Sequence, residues 1–389
     1  MSESCLAYVS QGKLHWRGGG SSRELESRFG LSLRDRAAEI HNRHAWKMQG
    51  TSARFMQGML WGGRGLEGGE FRIAITSVTR GSAPGDLLYS LETDEISGVF
   101  AVDAEGAEKR LFHTADFRVR HLDMHPGGGQ IAASILHGAL IANLAVLNAD
   151  GSDLREITDG ETLDLAPRWI PGPRQRLVFQ SAGLGRDAAG RFSGTSPFAV
   201  QELDLETGTI TGLAEDAEAD LLGPQKDADG NLYYLRRPRP NSRAAMDPLG
   251  IVKDTVLFPF RLSFAFFQFF NFFSMRYTGR PLSTSRGAAQ GMPDLKQMMI
   301  WGNLIDAGRA ARENGGDPDA PSLVPSSWHL VRQSAAGKQV LAKGVLSFDL
   351  APDGSVLYSN GSAIHRWVPQ GPSAERILVG SMIEQVAAL

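Results

Sequence analysis

Residues Leu346–Trp367 read LSFDLAPDGSVLYSNGSAIHRW. Leu346–Leu350 alternates apolar and polar residues, Pro352-Asp353-Gly354 supplies a tight turn, Ser355–Ser359 runs back, and Ala363–Trp367 follows Asn360-Gly361. Short runs bounded by turn formers are the pattern of a β-meander, not of a helix. Upstream the phrase returns in a fixed order. Arg118–Met124 turns at His125-Pro126-Gly127 and continues through Gln130–Leu136, Ile141–Leu147 and Leu154–Thr158. Asp164–Ile170 turns at Pro171-Gly172-Pro173 and continues through Leu177–Ser181, Pro197–Leu205 and Thr209–Leu213.

Two further copies complete the series. One holds Ala53–Leu60, Phe71–Val78, Asp86–Leu91, Gly98–Asp103 and Glu108–His113. The other has Asp220–Lys226 and Asn231–Arg236, is interrupted, and resumes at Ser327–Gln333 and Lys338–Lys343. The opening stretch is the last copy, completed by Glu375–Val379. A repeat of roughly 40–50 residues with constant turn chemistry means stacked four-stranded sheets. At the N-terminus Leu6–Ser10, Lys13–Arg17 and Arg23–Glu26 lack a first strand, and the apolar tail Met382–Leu389 can supply it. The expected fold is therefore all-β: a six-bladed propeller of four-stranded antiparallel blades, closed by the C-terminal strand, with a helical insertion. The expected division is residues 1–236, an insertion at 237–326, and 327–389. Closure would remove the free sheet edges of an open stack.

The phrases LAPRWIPGPRQRLVF, LAPDGSVLY and NADGSDLREIT resemble the PxWSPDGxxIaF and DxdGsnxrxLT phrases of TolB-like, WD-repeat-like propellers. The likeness covers most of the chain outside Arg237–Ser326. It implies the propeller and no particular task, because that fold hosts binders, scaffolds and enzymes.

Composition narrows the classes. The 389 residues are 21% charged with 45 glycines and a net charge of −3, a soluble, turn-rich composition that argues against generic nucleic-acid binding. Cys5 is the only cysteine, which excludes an intrachain disulfide and a cysteine-based zinc site. The start, MSESCLAYVSQGK, has neither a basic n-region nor an apolar h-region, so a cytoplasmic location is expected.

Local catalytic signatures are absent from the sequence. Gly63–Gly68 (GRGLEG) fits GxGxxG, but a strand rather than a helix follows, so it is expected to be a loop. His41 and His44 lie three apart on a helix expected over Ser32–Lys47, with Ser32 as its cap. They are candidates for the channel mouth, with no third metal ligand at suitable spacing. His121, His125 and His137 fall in one blade, where strand alternation separates neighbours. The Asp-Gly pairs at 150–151, 229–230 and 353–354 are expected to be turns. No catalytic residue, metal or cofactor is assigned.

The insertion stands apart. Nine of the 19 phenylalanines lie between Phe258 and Phe273. At helical spacing Phe266, Phe269 and Phe273 share a face with Phe270 on its flank, and a second helix is expected over Leu295–Arg312. From Arg236 to Arg286 nine basic residues, including Arg276 and Arg280, face only Asp247 and Asp254. A basic, aromatic amphipathic segment on an acidic body suits a protein partner or an anionic membrane surface, here the inner face of the membrane. The expected function is a non-catalytic interaction scaffold using Phe266, Phe269, Phe270, Phe273, Arg276 and Arg280. The alternative is a hydrolase or lyase with a loop-built polar site at the channel mouth.

Overall fold

The structure, a computed structural model, describes residues 5–45, 73–138, 140–187, 189–239, 297–300, 303–306, 319–369, 371 and 374–389. β1 (Leu6–Ser10), β2 (Lys13–Gly18) and β3 (Ser21–Leu25) form an antiparallel meander that leads into α1 (Arg28–Ala45). The next sheet runs β4 (Ala74–Arg80), β5 (Leu87–Glu92), β6 (Ser97–Val102) and β7 (Glu108–Thr114). It is followed by β8 (Arg118–Met124), β9 (Gln130–His137), β10 (Ile141–Asn148) and the two-residue β11 (Arg155–Glu156). Then come β12 (Thr162–Trp169), β13 (Arg176–Arg186), β14 (Phe192–Thr195), β15 (Ala199–Asp204) and β16 (Thr209–Ala214). A single parallel pair, Ala142 with Leu163, joins these last two sheets.

β17 (Ala219–Lys226) and β18 (Leu232–Pro238) pair with β21 (His329–Ser334) and β22 (Gly337–Lys343) across the insertion. Within the insertion, β19 (Gln297–Ile300) and β20 (Asn303–Asp306) form a two-stranded hairpin. The last meander is β23 (Ser347–Leu350), β24 (Val356–Ser359), β25 (Ala363–Trp367) and β26 (Glu375–Val379). β27 (Ile383–Ala388) then pairs antiparallel with β1, so the N-terminal sheet has the order β27-β1-β2-β3.

Burial falls from the inside of each sheet outwards. The middle of β10 is buried throughout, whereas β16 and β22 are mostly exposed. The cores lie between sheets. Val9, Val78, Tyr89 and Phe100 fill one interface, and Leu222, Tyr233, Phe348 and Tyr358 another. Each such side chain contributes about 1.5–3 kcal/mol when removed from water.

Ladder pairing leaves the inner edge of each first strand largely open, and its polar groups are met by side chains from the neighbouring sheet. Val78 N–H donates to Gln385 Oε1 (3.1 Å), while Gln385 Nε2 donates back to the Val78 carbonyl (3.0 Å). Leu122 N–H donates to Ser77 Oγ (2.9 Å), and Trp169 N–H to Asp123 Oδ2 (2.7 Å). Gly223 N–H donates to Gln180 Oε1 (2.6 Å). Gln225 donates to the Phe348 carbonyl and accepts from Leu350 N–H, at 3.2 and 3.1 Å. Ala388 N–H donates to Asp349 Oδ2 (2.8 Å).

A local irregularity aims several of these groups. The ladder register shifts between Arg120 and Asp123, Leu165 and Arg168, and Leu222 and Gln225. Within the shifts His121 and Ala166 take φ of 53° and Gly223 φ of 57°. A bulge at this point turns the following polar residue towards the adjacent strand. The Asp-Gly pairs are turns: Asp353 Oδ1 accepts Ser355 N–H at 2.9 Å, and Gly354 takes a φ of 80° that favours glycine.

Several expectations require correction. The helix is α1, Arg28–Ala45, and its cap is Ser27, whose Oγ accepts Gly30 N–H at 3.1 Å. Ser32 lies inside the helix and donates to the Phe29 carbonyl. A tertiary contact sets the start, because the Glu108 carboxylate accepts both Arg28 N–H and Phe29 N–H at 3.0 Å. The second helix expected over Leu295–Arg312 is replaced, in its described part, by the β19–β20 hairpin. β13 also continues past Ser181, the expected end of the strand, and pairs with β14 in an additional hairpin. The strand expected at Ala53–Leu60 and the GRGLEG stretch lie outside the described residues.

One prediction concerns β27. Ile383 and Val386 are fully buried, and the strand covers the inner edge of β1. Truncation after Gly380 is expected to lower the melting temperature by at least about 6 °C, or to remove soluble monomer. Scanning calorimetry with light scattering measures this; an unchanged monomer with unchanged melting would contradict it.

Candidate functional site

Two regions carry concentrated polar chemistry. The first is the centre, between the first strands. Arg168 on β12 reaches Asp123 on β8, with Nη1 to Oδ1 at 3.0 Å, and Asp349 on β23, with Nη2 to Oδ1 at 3.0 Å. The side chains are 16%, 9% and 8% exposed, so these charges are largely desolvated. Trp169 Nε1 also donates to the Asp123 carbonyl at 3.2 Å. Burial pushes the Asp123 carboxyl above the ordinary carboxylate range, with Arg168 and the Trp169 amide acting against it. Burial also opposes the charge on Arg168, but the Asp349 and Asp123 carboxylates outweigh it and hold the guanidinium protonated. Chemically this is a charge-neutralising strut, in which each carboxylate is occupied by a cation and a backbone N–H.

The second region is the end of the sheets where the first strands begin. Thr162 at the start of β12 pairs with Gly183, beyond which the β13–β14 hairpin extends. Ala219 at the start of β17 pairs with Pro238, the last residue of β18. α1 itself stands between the end of β3, an outermost strand, and β4, the first strand of the next sheet. The long departures from the repeat therefore leave from one face.

On that face the insertion is held at both roots. Arg237 on the outgoing limb donates through Nε and Nη2 to Asp220 Oδ2, at 3.2 and 2.8 Å. Its guanidinium lies 5.5 Å from the ring centroid of Trp328 on the returning limb. Burial lowers the Arg237 pKa and Asp220 counters it. Arg239 donates to the Thr195 carbonyl on the neighbouring hairpin at 3.1 Å. The returning limb docks on the last meander: Asn360 Nδ2 donates to the Ala320 carbonyl at 3.0 Å, Leu323 N–H donates to the Asn360 carbonyl at 2.9 Å, and Val324 is fully buried. Residues 319–326, expected to belong to the insertion, are packed on the sheets.

His41 and His44 lie on α1. Phe266, Phe269, Phe270, Phe273, Arg276 and Arg280 lie outside the described residues. The three histidines of one sheet go to separate partners. His121 Nδ1 is 3.4 Å from Ser134 Oγ, His137 pairs with Glu156 at 2.9 Å, and His125 meets the Trp169 ring edge-on at 4.7 Å. No group of metal-ligating residues occurs among the described residues, and no helix among them is long and apolar enough to cross a membrane. The strut was missed although its signal is in the repeat. Asp123, Arg168 and Asp349 each stand three residues before the turn proline, at Pro126, Pro171 and Pro352.

No protein-family model matches the chain, and no curated protein does. Among solved structures it is similar to TolB from Acinetobacter baumannii, with 11% identity, a TM-score of 0.50, and coverage of 99% of this chain and 66% of that one. The chain thus spans about two thirds of the length of that TolB. It is also similar to a chain of the nidogen/laminin complex, with 8% identity, a TM-score of 0.50, and coverage of 99% and 98%. The fold of the chain is that of the TolB-like β-propellers.

Proposed function

We propose that the chain is a six-bladed propeller closed by β27 and acts as a non-catalytic interaction scaffold. Closure is supported by the pairing of β27 with β1 and by the hydrogen bonds that β27 makes to both neighbouring sheets through Ala388 and Gln385. The scaffold reading rests on one observation: the long connections leave from a single face, and the insertion is clamped there at both roots. A propeller that holds its most unusual segment rigidly at the base is suited to presenting it. The segment 237–326 carries Phe266, Phe269, Phe270 and Phe273 with Arg276 and Arg280, a composition that fits an acidic partner protein. The similarity in fold to a chain from a nidogen/laminin complex fits a protein partner. The site of action is the cytoplasm, and an anionic membrane face is the second surface with the same charge complementarity.

Photo-crosslinking in native cells tests this reading. A crosslinker at Ala189 or Arg191, on the β13–β14 hairpin, is expected to yield discrete adducts. One at Arg174 or Asp229, in turns at the opposite ends of the strands, is expected to yield none. Replacing residues 240–318 by a short Gly/Ser linker should remove the adducts and leave the sheets folded. Equal adducts on both faces, or adducts unchanged by the replacement, would refute the scaffold reading.

The strut yields a second prediction. Arg168→Met leaves Asp123 and Asp349 without their shared cation, at an expected cost of about 3–5 kcal/mol. The Asp123 carboxyl, already raised by burial, rises further. An acid with a raised folded pKa holds its proton more tightly folded than unfolded, so its contribution is lost as pH rises through that pKa. The deficit should therefore shrink between about pH 8 and about pH 5. Urea unfolding across that range measures it; a pH-independent deficit would contradict the assignment.

A further inference from the structure

The outermost strands of the sheets are mostly protected by charge. β3 carries Arg23 and Glu24, β7 carries Glu108, Lys109 and Arg110, β22 carries two lysines, and β26 carries Glu375 and Arg376. β16, TITGLA, carries none. Among the described residues its only strand partner is β15, so its outer row of N–H and C=O groups has no ladder. Thr209–Gly212 are exposed, Ile210 at 49%. A Cβ added at Gly212 would meet nothing within 4 Å, so the sheet face at that position is uncovered. An uncharged, β-prone, unpaired edge is a template for strand addition.

Two observations select the occupant. Between Asp204 and Pro224 the chain has six acidic residues and no basic one. Of these, Glu206 precedes β16 and Glu215 and Glu218 follow it, all at or near the surface. A second copy would bring the same acidic flanks together, whereas a peptide with basic ends would be complementary. Beyond the end of β16, a cleft of about 160 Å³ is lined by Asp216, which pairs with Arg236, by His329 and Lys338, and by four apolar side chains that include Val340. Val340 is 47% exposed, leaving an apolar surface near the edge.

We propose that β16 is a second binding site, which takes an extended, uncharged peptide segment with basic flanks as an additional antiparallel or parallel strand. It does not depend on the scaffold reading.

The test uses the full chain and a labelled heptapeptide of alternating threonine and valine with a lysine at each end. The same peptide with glutamate ends, and a third with proline at alternate positions, are controls. Fluorescence anisotropy is expected to show the lysine-ended peptide binding at least about tenfold more tightly than the glutamate-ended one, with the proline peptide not binding. In the triple variant Glu206→Lys, Glu215→Lys, Glu218→Lys the preference should reverse. Amide exchange across Thr209–Ala214 should slow on binding. Equal affinity for both ends, or protection elsewhere, would overturn the proposal. Protection of β16 in the free chain would show the edge already covered, and protection that grows with protein concentration would make a second copy the occupant; either result overturns the assignment to a basic peptide.

Discussion

The inner edge of a propeller sheet poses a hydrogen-bonding problem that the rest of the structure has to solve. The first strand of each sheet has its main ladder on one side only, and its other side faces neighbouring first strands in a crowded interior. Unmet N–H and C=O groups there would each cost on the order of 1–3 kcal/mol. Ser77, Asp123, Gln180, Gln225, Asp349 and Gln385 meet them, each bonding to the backbone of an adjacent sheet. These contacts also set the relative height of neighbouring sheets, which apolar packing between flat faces leaves free to slide. The bulges at Arg120–Asp123, Leu165–Arg168 and Leu222–Gln225 belong to the same solution. They accept left-handed backbone at His121 and Ala166 to bring a polar side chain to the required edge.

Arg168 extends the same logic from the edge to the centre. Two of the bonding carboxylates are charged, and isolated charges with so little exposure would be costly. A guanidinium has the fork geometry to serve both, which an ammonium lacks. The result ties β12 to β8 and to β23 at once. A centre whose charges are committed to one another is a structural element, and this shifts attention to the periphery and the face of the long connections. There the Arg237–Asp220 pair and the Trp328 ring close the base of the insertion, so that a long excursion of the chain need not disturb the pairing of β18 with β21.

Much of this was legible in the sequence. The turn phrases located most strands within a residue or two, as at β8 and β26, because turn chemistry and two-residue alternation are local properties. The missed elements share a non-local cause. Ser32 resembles a helix cap, but the Glu108 carboxylate, 80 residues from Arg28, fixes the start of α1 near Ser27. The apolar residues of 297–306 fit a helical face as well as a hairpin, and the pairing of Gln297–Ile300 with Asn303–Asp306 decides between them. The strand expected to end at Ser181 runs on to Arg186, because pairing with β14 extends it.

The candidate sites divide in the same way. Composition and spacing by themselves determined the all-β repeat and the basic aromatic character of the segment that interrupts it, since each is a property of a contiguous stretch. The repeat even placed Asp123, Arg168 and Asp349 at one position before the turn proline. It could not say that they meet, because opposite charges in separate repeats become partners only when the sheets are arranged around a common centre. Likewise, TITGLA is an ordinary strand in sequence. Its lack of a second ladder partner among the described residues, and the cleft near its end, exist only once the sheets are in place, because an edge is defined by what fails to pair with it.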